Sequence, residues 1–271
     1  MRQHRAVTVA EEPLAGGMDN AGAVVRVGDT VRRPVKNSAA AVHALLIHLE
    51  GVGFEGAPRY LGIDEQGREV LSYIAGQAPL PPYPAWSMTD EALIEVARLL
   101  RRFHDAASSF DATGFGSWAT EWADPVGGSL VCHNDVYPEN VLFRDGRAVA
   151  LIDFDLAAPG RFLWDVAVAA QQWAPLNAPE TRHYHPRHLD GVARFGRFAR
   201  AYGVEVSTAS SLVDMVFTSR QTALAHIRGE IDAGNTTWVD NWRETNGEER
   251  AAADDAWLES HRKALVEAIA D

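Results

Sequence analysis

Hydrophobic residues along this chain keep two different periods. Up to Ala75 they come in short runs separated by glycine-bearing turns, the pattern of strands. Residues 1–14 are polar and mixed, a first strand or a loose arm. Residues 23–27 and 30–34 read as strands joined by the turn Gly28-Asp29, and residues 60–64 and 68–74 flank the turn Glu65-Gln66-Gly67 as a hairpin. Between them Val42, Leu45, Leu46 and Leu49 share one face of a helix over 39–49, with Ser38 as its expected N-cap and Gly51 as its stop.

Ala75-Gly76 and the proline-rich stretch 79–84 then interrupt regular structure, and from Thr89 the period becomes helical. Leu93, Val96, Ala97, Leu100 and Phe103 form an apolar stripe that His104 closes. Residues 109–126, with Trp118 and Trp122, read as loop. The apolar runs 141–143 and 148–152 flank the turn Arg144-Asp145-Gly146-Arg147 as a further hairpin. Beyond it, residues 162–173, 189–202, 207–232 and 248–269 read as helices, the third striped by Val213, Val216, Phe217, Ala223, Leu224 and Ile227. Trp238, Trp242 and Trp257 lie around the last connection and read mainly as core. Strands with one helix first and helices afterwards give an α+β chain.

The chemistry concentrates where the two patterns meet. Val131-Cys132-His133-Asn134-Asp135 continues through Asn140, giving the spacing H-x-D-x-x-x-x-N, and Asp153 follows at the end of an apolar strand. This is the spacing of a phosphoryl-transfer loop. Such transfer needs a hydroxyl held in line and charge stabilised on the phosphates. Asp135 is the candidate to orient and deprotonate the hydroxyl. Asn140 and Asp153 are the candidates to hold a hard cation, and the hairpin between them brings both to one end. His133 reads as a loop-holding residue. Asp155, two residues past Asp153 on the same side of an extended segment, is either a second metal carboxylate or a neighbouring polar residue. The turn Gly16–Gly22, containing Gly17, Asp19 and Asn20, can bring backbone N–H groups against phosphates or be an ordinary hairpin turn.

These segments resemble those of the aminoglycoside phosphotransferase and choline kinase-type family, small-molecule relatives of the protein kinases. Within it the chain is similar to bacterial trifolitoxin-immunity and phosphotransferase proteins. The resemblance implies a protein kinase-like, two-lobed α+β fold. A small antiparallel sheet with one helix, residues 1–75, would bind nucleotide, and a mainly helical lobe, residues 76–271, would carry catalysis and substrate. It implies Mg²⁺, ATP or GTP as co-substrate, and a hydroxylated small-molecule acceptor bound among the C-terminal helices. It places Val31 against the base, Tyr73 and Ile74 at the hinge, and Asp165 in structural support of the loop. The family's strand lysine is absent; Arg33 takes its place, with Arg32 as the alternative. At the family's helix glutamate stands His43, which implies a neutral imidazole accepting from Arg33 or an ordinary half-buried histidine.

Composition narrows the field. A net charge of −12 argues against a nucleic-acid partner and is compatible with a cationic acceptor. No apolar run is long enough to cross a bilayer, no secretory signal follows Met1, and the single cysteine, Cys132, fits a cytoplasmic setting. Nothing in the sequence bears on oligomeric state. His183, His185 and His188 cluster, but Pro186 breaks their spacing and they read as surface rather than as a zinc site. The expected activity is phosphoryl transfer to an aminoglycoside, choline, a sugar or an amino alcohol. The rival is a catalytically poor immunity factor that sequesters a toxin; the missing lysine and glutamate favour it, and Asp135, Asn140 and Asp153 oppose it.

Overall fold

The structure, a computed structural model, describes residues 10–14 and 23–271. The expected turn with Gly17, Asp19 and Asn20 lies outside the described residues. Five short strands make an antiparallel sheet: β1 (Glu12–Pro13), β2 (Val25–Val27), β3 (Thr30–Arg33), β4 (Tyr60–Ile63) and β5 (Glu69–Ser72), in the order β1-β2-β3-β5-β4. Register pairs Val31 with Leu71 and Arg33 with Glu69. Because side chains alternate across a strand, Arg33 turns inward while Arg32 faces the other way and meets Asp64 at 3.8 Å.

α1 (Ala39–Gly51) buries Val42, Leu45, Leu46 and Leu49 against β4 and the helix that follows. Ser38 does not cap it. Its own backbone is already helical, so its hydroxyl turns away from the first amides and donates to the Asp155 carbonyl at 3.2 Å.

α2 (Asp90–Ala107) starts at Thr89, whose side chain accepts from the Ala92 amide. It is the central helix: Leu93, Val96, Leu99, Leu100 and Phe103 are all fully buried. Each such side chain contributes about 1.5–3 kcal/mol over its exposed state. Two strand pairs lie on it. β6 (Leu130–Cys132) pairs with β9 (Ala158–Gly160), and β7 (Val141–Arg144) pairs with β8 (Arg147–Leu151). β6 and β9 approach closely because Gly160 has no side chain; a Cβ there would lie 2.9 Å from Cys132 Sγ.

Helices α3 (Phe162–Trp173), α4 (Gly191–Tyr202), α5 (Ala209–Asp232), α6 (Thr236–Glu244) and α7 (Gly247–Ala270) complete the described residues. α6 corrects the sequence expectation of a simple connection. It is nine residues long, and its apolar residues Trp238, Val239 and Trp242 share one face but are only half-buried. Of the tryptophans there only Trp257 packs on the core; all three are half-buried, and Trp238 lies beside His226 and Trp122. In the second half of α5, Ala223, Leu224 and Ile227 are half-buried as well.

α4 packs on α7 at Gly196, where a Cβ would collide with the Ala268 carbonyl. Gly196→Ala is therefore expected to destabilise the fold by about 1–3 kcal/mol through overpacking, although alanine is the better helix former. An unchanged urea midpoint would count against so close a contact.

Candidate active site

The chain leaves β6 at Cys132 and turns at Asn134, whose φ of 63° is a left-handed value that asparagine tolerates better than most residues. α3 holds this turn. Asp165, fully buried, accepts from the amides of His133 (2.7 Å) and Asn134 (2.9 Å) and from His104 Nε2 of α2 (2.9 Å). Trp164 Nε1 donates to Asn134 Oδ1 at 3.2 Å, Asn134 Nδ2 donates to the Leu156 carbonyl at 2.9 Å, and Trp173 Nε1 donates to the Val136 carbonyl at 2.9 Å. Burial raises the pKa of Asp165, but its hydrogen bond from His104 and the nearby imidazoles outweigh that and hold it below the ordinary value.

His133 has its own fixed roles. Its Nδ1 accepts from the Asp135 amide at 3.3 Å, so Nε2 carries the proton and donates to the Ile152 carbonyl at 3.1 Å. Burial lowers its pKa, which keeps the ring neutral. The Asp135 carboxylate accepts from Asn140 Nδ2 at 2.7 Å. Burial, and then the negative charge of Asp153, raise its pKa to about 7.

The β7–β8 hairpin joins this loop to the acidic segment. The Ile152 amide donates to the Asn140 carbonyl at 2.9 Å, which sets Asp153 next to the loop, in a left-handed conformation (φ 62°). From the sheet, Arg33 reaches across. Its Nη1 is 2.8 Å from Asp153 Oδ1, its Nη2 is 2.6 Å from Asp155 Oδ1, and its Nε donates to Glu69 Oε1 at 2.6 Å. Burial opposes the charge on Arg33, but the three carboxylates more than offset it and raise its pKa. Burial lifts Asp155 to about 6 even though Arg33 pulls it down.

His43 does not accept from Arg33. Its Nε2 meets Glu69 Oε2 at 2.8 Å, and its ring stacks on Tyr60 at 3.8 Å, so Glu69 stands between the two expected partners. The edge expected to face a base also departs from expectation in one atom. The Tyr73 amide donates to the Asp29 carbonyl at 2.9 Å, so that residue has only its carbonyl left for a base. The segment past Ile74 is tied to the hairpin: Gln77 and Phe143 exchange two backbone hydrogen bonds, and Arg144 Nη2 donates to the Ala75 carbonyl at 2.7 Å. Val31 is half-buried, on the same strand face as Arg33.

Glu69, Asn134 and His104 were not singled out from sequence. Glu69 opens β5 just after the turn, beside Arg68, and nothing in the sequence sets it apart; its partner appears only with the β3–β5 register. Cys132 is buried and its thiol pKa is raised by burial, against a nucleophilic role. His185 Nε2 is used on the Gln172 carbonyl at 2.7 Å, and burial lowers its pKa to about 4. Among the described residues no three His, Cys, Asp or Glu side chains form a metal cluster.

The arrangement defines a class: a loop carboxylate and amide facing an acidic segment and a strand cation, on a kinase-like α+β frame. The model of the phosphotransferase enzyme family (APH) matches residues 116–201, from the loop before β6 into α4. The trifolitoxin immunity protein of Rhizobium leguminosarum bv. trifolii is 30% identical over 261 residues, covering 91% of this chain and 95% of that protein. A choline/ethanolamine kinase family protein from Mesorhizobium loti superposes with a TM-score of 0.64 at 19% identity, over 98% of this chain and 94% of that one. The GDP complex of aminoglycoside 2′-phosphotransferase-IIIa does so with a TM-score of 0.61 at 17% identity, over 92% and 95%. The chain belongs to the APH phosphotransferase enzyme family, whose fold is protein kinase-like.

Replacing Asp165 by asparagine turns one of its two acceptor oxygens into a donor, so that at least one of three inward-facing donors loses its acceptor and meets another donor. Asp165→Asn is expected to cost about 3–5 kcal/mol, read as a lower urea midpoint at pH 7. Its depressed pKa means that the ionised carboxylate stabilises the fold at neutral pH, and this contribution is lost as pH falls through the folded-state value. The variant should therefore show a flatter loss of stability on acidification than the wild type.

Proposed function

We propose that the chain moves the γ-phosphoryl group of ATP or GTP to a hydroxyl of a small molecule, with residues 1–75 as nucleotide lobe and 76–271 as catalytic and substrate lobe. The supporting observation is one meeting point. Arg33 contacts Asp153 at 2.8 Å, and the Asn140 carbonyl is bonded to the residue just before Asp153 while its amide group bonds Asp135.

Asp135 accepts a hydrogen bond from the acceptor hydroxyl and takes its proton as that oxygen attacks the γ-phosphorus. The bond to the leaving diphosphate breaks on the opposite side. A carboxyl raised to about 7 is matched to that proton transfer near neutral pH. Arg33 lies against the phosphates. Val31 and the carbonyl side of Tyr73–Ile74 border the base. His133 and Asp165 fix the loop.

Asn140, Asp153 and Asp155 offer only hard oxygens at one end of the hairpin. That suits Mg²⁺, which takes few protein ligands and completes its shell with waters and phosphates. When bound, Mg²⁺ neutralises charge on the phosphates and leaving group. The net charge of −12 agrees with a cationic acceptor, an aminoglycoside or an amino alcohol such as choline, and the single buried cysteine agrees with a cytoplasmic setting. No described helix is long and apolar enough to cross a membrane.

The likeness to an immunity protein favours a second reading, in which the chain protects by sequestering a toxin and does not turn over. The two readings separate at Asp135. ATP or GTP with Mg²⁺ is expected to raise the melting temperature of the wild type. Asp135→Asn should keep that shift while losing about 10²–10⁴-fold in turnover, followed as ADP or GDP release over a panel of hydroxylated acceptors. If neither nucleotide shifts melting, the kinase reading falls. If Asp135→Asn turns over at the wild-type rate, Asp135 is not the base.

A further inference from the structure

The Arg33 centre holds one guanidinium against three carboxylates, with Arg33 and Glu69 both buried. The family resemblance leads one to look for the strand cation's anion on α1. That helix offers none: its acidic residue, Glu50, lies at the C-terminal end and meets Arg59 at 3.4 Å. The anion comes instead from the neighbouring strand. We propose that Glu69 is the positioning residue for Arg33: an acid supplied across the sheet does the aiming that the family resemblance assigns to a helix glutamate. The inference rests on the kinase reading and deepens it.

The geometry explains how. Arg33 and Glu69 are register partners on antiparallel strands, close enough for their side chains to meet without either strand moving. Glu69 binds Arg33 through Nε, the inner donor of the guanidinium. The group is planar and rigid, so fixing Nε fixes the direction of Nη1 and Nη2. Those two point at Asp153 and Asp155. Glu69 itself cannot turn, because His43 occupies its second oxygen and Tyr60 covers His43. Without Glu69, Arg33 would keep only contacts to the acidic segment, which a bound nucleotide has to share.

Charge supports the same assignment. One positive charge among three negative ones leaves two negative charges, so Arg33 is held firmly yet does not satisfy the acidic segment.

The test measures binding by calorimetry. Wild type, Glu69→Gln, Glu69→Asp, Arg33→Ala and the Glu69→Gln/Arg33→Ala double variant are titrated with the nucleotide the wild type takes, its diphosphate and its nucleoside. Glu69→Gln is expected to weaken di- and triphosphate at least tenfold, with nucleoside affinity within twofold. Glu69→Asp, which keeps the charge but withdraws it by one methylene, should lie between and serves if the glutamine variant fails to fold. Because Glu69 acts through Arg33, the double variant should bind no more weakly than Arg33→Ala. Two results overturn the proposal: folded Glu69 variants that hold the phosphates as the wild type does, or a Glu69 loss repeated in full on the Arg33→Ala background. A wild type that binds no nucleotide overturns the kinase reading itself, and the proposal with it.

Discussion

The site depends on one buried anion whose needs are met wholly from inside the protein. Asp165 gathers two consecutive backbone amides and a histidine around a carboxylate that never meets solvent. A turn as tight as the one at His133–Asn134 leaves amides pointing inward that no strand partner can reach, and buried amides must be paired. Asp165 pairs them, and in doing so fixes where Asp135 leaves the turn. Trp164 and Trp173, from the same helix, bind the atoms on either side. The position of the candidate base is thus set by α3, a rigid element, and not by the flexibility of its own loop.

A second ion centre works in the opposite sense. Asp165 is one anion with three donors and is complete. Arg33 is one cation with three carboxylates and is not. A buried pair is expensive unless its members are well matched, and here the mismatch lies on the side of Asp153, whose side chain remains 30% exposed. The protein therefore closes one centre and leaves the other, at Asp153, with more carboxylates than cations in contact.

Much of this was legible in the chain. The hairpins at 60–72 and 141–151 announced themselves by apolar runs around glycine turns, and α3 by its unbroken run from Phe162 to Trp173. The residues named for the loop and the acidic segment come together because their spacing is local, and a hairpin can only bring its own ends to one place. What stayed hidden depends on contacts distant in sequence. Glu69 looks like a turn-flanking acid beside Arg68 until the β3–β5 register puts Arg33 opposite it. Ser38 looks like a cap until its hydroxyl finds the Asp155 carbonyl. Tyr73 looks free at the hinge until its amide finds Asp29. α6 escaped for a different reason: in nine residues it offers only Trp238, Val239 and Trp242 at helical spacing, too short a pattern to stand apart from a connection.

Moving the acid from helix to strand also changes what α1 can do. An ion pair between a strand cation and a helix anion opens when the helix swings, so the helix position governs whether the cation is aimed. Here both members lie in one sheet, joined by backbone hydrogen bonds on either side. α1 touches the centre only from behind, through His43 on Glu69 and Ser38 on the Asp155 carbonyl. Displacing the helix would strip those two contacts, His43's lock on the second Glu69 oxygen among them, while the β3–β5 register would still hold Glu69 opposite Arg33. In this chain the pairing of the two is a property of strand register, and helix position governs only how firmly Glu69 is held.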